Sequence, residues 1–293
     1  MNALEEAGHV VSVIVPNTQR SWIGKAHMVG QDVQATHYWP PIENPEVHTD
    51  SASMRTDSKH PWVLVNSTPA SCSQIGLSHF FNDRGPVDLV VSGPNYGRNT
   101  TALFALSSGT LGAALEATQC GYRAIALSFA FFDRRNLPEV VSESCKQSVR
   151  VCEWLAKNAR WGDAMLYSVN VPVQEGVSQK KIMWTRMLQN TWAKGACFQE
   201  LPQATVDDPE MEEAKLRRQE SNEGIESGTA TPLNNKFPHR HFKWAPRFTD
   251  VYESVLKAGP GSDGWAVKEG ETSITAIKAN FMHVEGFEGE VKL

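Results

Sequence analysis

No stretch of this sequence holds the roughly 20 consecutive apolar residues that a helix needs to cross a bilayer. The opening residues, Met1-Asn2-Ala3-Leu4-Glu5-Glu6, are acidic and lack an apolar centre, which argues against a secretory leader. Basic residues are also too few to leave a footprint. Lys and Arg number 28 against 33 Asp and Glu, a formal charge of −5, so binding to a nucleic-acid backbone is not expected. The five cysteines, Cys72, Cys120, Cys145, Cys152 and Cys197, are odd in number and scattered, a pattern that suits neither a disulfide framework nor a zinc site. A reducing, cytoplasmic setting is the expectation. Gly93 and Gly97 miss the G-x-G-x-x-G spacing of a dinucleotide site. A G-x-S-x-G nucleophile elbow is absent too.

What is present reads as a globular chain of one or two domains, with 293 residues and 41% hydrophobic content. Its organising stretch is Val87–Phe132. Val87–Val91 is a short apolar run bounded by Gly85-Pro86 and Ser92-Gly93-Pro94, the pattern of a buried strand. A polar loop over 92–101 follows. Ser107-Ser108-Gly109-Thr110 then starts a helix whose Leu111, Ala114, Leu115 and Thr118 share a face, with Gly121 as its stop. Ala124–Phe129 is a second apolar strand. Strand, loop, helix, strand predicts a right-handed crossover in a parallel sheet, with the loop at the strand's carboxyl end, where such sheets bind ligands. A helix start rich in hydroxyls and free amides suits a phosphate, and serves equally as an ordinary cap.

The wording of this stretch is specific. Ser92-Gly93-Pro94-Asn95-Tyr96-Gly97-Arg98-Asn99 followed by Ser107-Ser108-Gly109-Thr110-Leu111-Gly112-Ala113-Ala114-Leu115-Glu116 resembles the SGxNxGxN loop and YSGTVGAAxE helix start of the SurE family. Gln19-Arg20-Ser21-Trp22-Ile23-Gly24-Lys25-Ala26-His27 resembles its fungal branch. The resemblance implies a three-layer α/β/α, Rossmann-like fold with a mostly parallel sheet. It also implies a metal-dependent phosphatase acting on nucleoside monophosphates. By the same resemblance, Asn95 and Ser21 are metal ligands for Mg²⁺ or Mn²⁺, and Ser107, Gly109 and Thr110 hold the phosphate. Lys25, His27 and Asn99 are candidate substrate contacts. A C-terminal strand and an arm exchanged between subunits are implied as well, hence a possible homodimer.

Read in order, Met1–Gly8 resembles the end of a helix, and His9–Val15 is a strand. In the family a strand ending in Asn-Asp-Asp-Gly comes first, and its aspartates hold the metal. This sequence has no counterpart, so the first strand is expected to be lacking and metal-dependent turnover by this chain to be low. An irregular insertion over 31–59 with one strand follows. A strand over Trp62–Asn66 and a helix from Ser67 to near Phe81 come next. A helix is expected over Asn136–Ala159 with an apolar stripe of Val141, Cys145, Val149, Cys152 and Leu155. Further strands are expected over Met165–Val171 and Lys181–Arg186. Residues 201–240 carry Asp207-Asp208, Glu212-Glu213 and Arg217-Arg218 among Ser, Thr, Gly and Asn, and read as a disordered polar insertion. The domain reading is therefore a SurE-like core over 1–200, the insertion, and the rest of the same domain over 241–293. Two functions stay open: a divalent-metal phosphomonoesterase, or a non-catalytic module that binds a nucleotide or a partner.

Overall fold

The computed structural model describes residues 1–40, 61–132, 137–195, 197–201, 240–281, 285 and 290. The polar insertion and Asp207-Asp208 lie outside the described residues, as does most of the expected irregular segment.

The N-terminal part holds a short helix, α1 (Asn2–Glu6), and three strands, β1 (Ile14–Pro16), β2 (Ala35–Tyr38) and β3 (Trp62–Val65). They form one sheet in the order β1-β3-β2, with β1 parallel and β2 antiparallel to β3. The strand expected over His9–Val15 shrinks to three residues; of residues 9–13, only the Val13 carbonyl bonds to β3, accepting from Val63 N–H at 2.9 Å. After β3 comes α2 (Pro69–His79), capped by Thr68, whose Oγ1 accepts the Ser71 N–H at 3.1 Å. Proline at the first helical turn loses no intrahelical bond.

The main sheet runs β4 (Val90–Tyr96), β5 (Ala124–Phe131), β6 (Met165–Val173), β10 (Thr272–Lys278), β7 (Ile182–Trp184). β4, β5 and β6 are parallel, β10 runs against β6, and β7 is parallel to β10. Strand β4 begins three residues later than expected and continues through the residues read as a loop. Gly93 allows this. Its φ is +120° and a Cβ there would strike the Leu127 carbonyl, so only glycine lets the strand pass so close to β5. The register shifts between Ser92 and Asn95, and Asn95 rejoins β5 opposite Ser128.

Helices cover both faces. After β4 come α3 (Thr101–Ser107), not foreseen in the sequence, and α4 (Gly109–Gln119). The next helix, α5 (Pro138–Asn158), lies between β5 and β6 in the chain. Along β5 the residues alternate between the two layers. Ile125, Leu127 and Phe129 join Val151, Cys152 and Leu155 of α5, while Ala124 and Ala126 join Ala114 and Ala117 of α4. Alanines on both sides let α4 sit close to the sheet. Each fully buried Leu, Ile or Val contributes about 1.5–3 kcal/mol, so the α5 side carries more of the apolar stabilisation.

The stripe expected on α5 is rotated. Val140, Ser144, Ser148 and Val151 are buried alongside Val149, Cys152 and Leu155, whereas Val141 and Cys145 are only half-buried. Ser144 and Ser148 tolerate burial because their hydroxyls donate to Val140 O at 2.9 Å and Ser144 O at 2.7 Å. All five cysteines are unpaired; burial pushes the Cys72 and Cys152 thiols up to about 12.

The C-terminal part returns to the same sheet. A two-stranded ribbon pairs β8 (Phe198–Leu201) with β9 (His241–Trp244). Two helices follow, α6 (Phe248–Ala258) and α7 (Asp263–Lys268), before β10 inserts between β6 and β7. No helix among the described residues is long and apolar enough to cross a membrane.

Candidate phosphate site

The site forms where α3 hands over to α4. Ser108 breaks the helical run with extended backbone, and its Oγ accepts the Leu111 N–H at 3.2 Å. This gives α4 its own N-terminus in the middle of the Ser107–Thr110 motif. The first-turn N–H groups of Gly109 and Thr110 have no intrahelical acceptor, and the helix dipole adds partial positive charge there. Ser107 Oγ donates back to Leu103 O at 2.8 Å, so its proton is engaged within α3.

The segment from β4 brings the next side chains. Asn95 Nδ2 donates to Gly97 O at 3.0 Å. Asn99 is buried and held twice: its N–H donates to Asn170 Oδ1 at 2.8 Å, and its Nδ2 donates to Ser128 Oγ at 2.7 Å. Thr101 opens α3 at φ +70°, and its N–H donates to Asp263 Oδ2 at 2.9 Å. Asp263 also accepts from Leu188 N at 3.0 Å and Gly264 N at 2.7 Å. Burial pushes the Asp263 carboxyl above the usual carboxylate range despite these donors.

The loop after β1 supplies the opposite wall. It lies close against α4: a Cβ on Gly112 would run into the Gly24 carbonyl, and one on Gly109 would come within 3.0 Å of the Ile23 side chain. Gly24 N–H donates to Ser107 O at 2.8 Å. Trp22, at φ +59°, stacks on Phe248 at 5.7 Å and meets Phe104 edge-on at 5.8 Å. Farther along, Lys25 Nζ lies 2.5 Å from Glu116 Oε2 and His27 Nε2 lies 3.5 Å from it, while Gln74 Nε2 donates to Glu116 Oε1 at 2.6 Å. Burial pulls the Glu116 carboxyl up, but these partners outweigh it and hold it below the usual range.

Together these elements enclose a cleft of about 160 Å³. Of the residues singled out in the sequence, Ser21, Asn95, Asn99, Ser107, Gly109 and Thr110 all line it. Lys25 and His27 do not; they are directed to Glu116 and, for His27 Nδ1, to Ser71 Oγ at 3.0 Å. Arg20, Trp22 and Arg98 line the cleft and were not foreseen. Arg98 Nη2 donates to Phe131 O at 3.1 Å, and its guanidinium sits over the rings of Phe132 and Tyr252. Ligand pockets for whole drug-sized molecules run from about 300 Å³, so this cleft fits one small charged group.

The donor set discriminates between ions. Ser21 and Asn95 offer neutral oxygens, two arginines stand beside them, and no carboxylate lines the cleft among the described residues. The described residues hold no cluster of three or more His, Cys, Asp or Glu. Mg²⁺ and Mn²⁺ sites rest on anionic oxygen ligands. These residues therefore do not by themselves fit a divalent cation; they fit an oxyanion.

A family model described as Survival protein SurE matches residues 1–194. The chain belongs to the SurE family. It is 31% identical to the Saccharomyces cerevisiae protein named "Probable tubulin--tyrosine ligase PBY1", over 97% of this chain and 38% of that protein. It is 28% identical to the "5'-nucleotidase SurE" of Picosynechococcus sp., covering 72% of this chain and 76% of that one. The "5'-nucleotidase SurE" of Nitratidesulfovibrio vulgaris is 31% identical, over 65% and 67% of the two chains. The SurE crystal structure from Aquifex aeolicus shares the fold, with a TM-score of 0.58 over 96% of this chain and 88% of that one at 21% identity. The SurE-like chain thus spans well under half the length of the yeast relative.

Proposed function

We propose that this chain binds a nucleoside monophosphate by its phosphate and, as a SurE-family phosphomonoesterase, releases that phosphate. The observation that carries the reading is the α3–α4 break, which opens the Gly109 and Thr110 N–H groups into a cleft shared with Ser21 and Asn95. The nucleotidase names of the bacterial relatives support the substrate class. In this reading the α4 amides and the Thr110 hydroxyl bind the phosphate oxygens. Asn95 and Ser21 orient it from the opposite side, and the small cleft leaves the nucleoside outside. Residues 1–200 and 241–293 act as one domain around the 201–240 insertion. The β8–β9 ribbon and the place of β10 between β6 and β7 support that division. A cytoplasmic location and a homodimer belong to the same proposal.

A divalent metal supplies charge neutralisation and an activated water in the family reaction. Because the cleft offers no carboxylate among the described residues, a second reading is a module that binds the nucleotide without turnover. One experiment separates the two. Calorimetric titration of the chain with AMP is paired with phosphate release from AMP in Mg²⁺, in Mn²⁺ and in chelator. Binding with metal-dependent release supports the enzyme. Binding with no release in either metal supports the module. Absence of binding under every condition overturns both.

A further inference from the structure

Arg20, which lines the cleft, carries a donor that no described residue satisfies. Arg20 Nε is shielded from solvent and has no hydrogen-bond partner among the described residues. A buried donor left unpaired is costly, and native structures rarely keep one without a use. Arg20 itself sits beside the start of α4: its backbone carbonyl lies 3.4 Å from where a Gly109 Cβ would be. Arg98, across the same cleft, is tied to Phe131 O and two rings, and adds a fixed positive field. No carboxylate lines the cleft among the described residues to neutralise either charge.

We infer that Arg20 is a phosphate-binding residue, and that its guanidinium lets this cleft hold a phosphate dianion without a metal ion. The inference rests on the phosphate-site reading above and deepens it. A planar guanidinium offers paired N–H donors that match two oxygens of a phosphate, and its charge supplies what neutral Ser, Thr and backbone donors lack. The α4 N-terminus and Arg20 then share the anion. The unpaired Nε gains its acceptor when the anion arrives, so the donor is already in place for it.

The test uses the whole chain, with inorganic phosphate and AMP as separate probes, in chelator throughout. Thermal midpoints and calorimetric affinities are compared for the wild type, Arg20→Met, Arg20→Lys and Thr110→Val. The wild type is expected to bind both probes and to gain thermal stability from each. Arg20→Met should lose at least tenfold in affinity for both, while its ligand-free midpoint stays level or rises, because an unpaired buried donor has gone. Arg20→Lys should fall between, keeping the charge and losing the fork. A ligand-free midpoint that drops in Arg20→Met with affinity unchanged makes Arg20 structural and overturns the inference. Unaltered affinity in Arg20→Met beside weakened binding in Thr110→Val overturns Arg20 and leaves the α4 site standing. Wild-type binding only when Mg²⁺ or Mn²⁺ replaces chelator overturns the metal-free claim. A wild type that binds neither probe under any condition overturns the site reading and the inference with it.

Discussion

Glu116 on α4 lies 2.5 Å from the Lys25 ammonium, joining the middle of the helix to the loop that carries Arg20, Ser21 and Trp22. The Glu116 side chain is 6% exposed against 31% for Lys25, so this pair is far less screened than a surface ion pair. Lys25→Met leaves the buried carboxylate with Gln74 and His27 alone and should cost about 1–3 kcal/mol at neutral pH. Glu116→Gln, which keeps the shape and removes the charge, should cost less. The folded-state Glu116 carboxyl is held below its ordinary 4.5. Its stabilisation is therefore complete above that value and is lost as pH falls through the lower, folded one. Urea midpoints measured downward from pH 7 should decline less steeply in Glu116→Gln than in the wild type.

Asp263 carries the opposite sign. Burial raises its carboxyl above the ordinary 3.8, so the folded chain holds that proton to higher pH than the unfolded chain does. Its contribution is full below 3.8 and is lost as pH rises through the raised value. As pH rises above 3.8, the wild type should lose more stability relative to its acid value than Asp263→Asn does, since only the wild type gives up that proton. Asp263→Asn cannot accept from the Thr101, Leu188 and Gly264 amides with two oxygens and should cost about 1–3 kcal/mol. Since Thr101 starts α3 at positive φ, phosphate affinity should fall with it. Identical pH responses in the wild type and Asp263→Asn, or an Asn variant as stable as its parent, refute this account.

The legible parts of the fold are those where one local signal dominates. Ala124–Phe131 is an apolar run broken only by Ser128 and preceded by Gly121, and both its place and its type follow from that. Strand β4 misled because Gly93 and Pro94 read as turn residues, although here they make a bulge that only pairing with β5 explains. The seven residues of α3 are too few to show a period, and the break at Ser108 depends on tertiary packing. The site divides the same way. Asn95, Asn99 and Ser107–Thr110 lie in one contiguous motif. Arg20 and Arg98 do not stand out by residue type, since a loop arginine usually faces solvent. The signal available was their setting, Arg20 beside Ser21 and Trp22, Arg98 between Gly97 and Asn99. Lys25 and His27 lie so near Ser21 that they invited a ligand role. Their partner, Glu116, stands about ninety residues on, and no spacing rule links them.

Gly112 tests whether the loop must touch the helix backbone. Alanine favours a helix over glycine by roughly 1 kcal/mol, so Gly112→Ala would stabilise an unobstructed α4. Here the added methyl meets the Gly24 carbonyl and the Lys25 Cα, and backbone cannot step aside cheaply. The expected net effect is destabilisation of about 1–3 kcal/mol, the usual cost of overpacking. Weaker phosphate binding should accompany it, as Arg20 and Ser21 are pushed outward. Chemical denaturation and AMP titration of the same sample give both values. A variant more stable than the wild type rules out the close contact.

Thr110 separates a binding site from an ordinary helix start. Ser108 already caps α4 through the Leu111 N–H, so the helix does not need the Thr110 hydroxyl for its own termination. Thr110→Val preserves volume and branching and removes only that hydroxyl. If Thr110 donates to a phosphate oxygen, the change should weaken AMP binding by about 1.5–3 kcal/mol, the range for a hydrogen bond to a charged group. The unfolding midpoint should move little, by an amount set by the similar helix propensities of Thr and Val. A conservative Thr110→Ser variant, which restores the hydroxyl, should recover most of the affinity. Affinity unchanged in Val and Ser alike would return Thr110 to a purely structural place in the first turn, leaving the Gly109 and Thr110 amides as the contribution of α4.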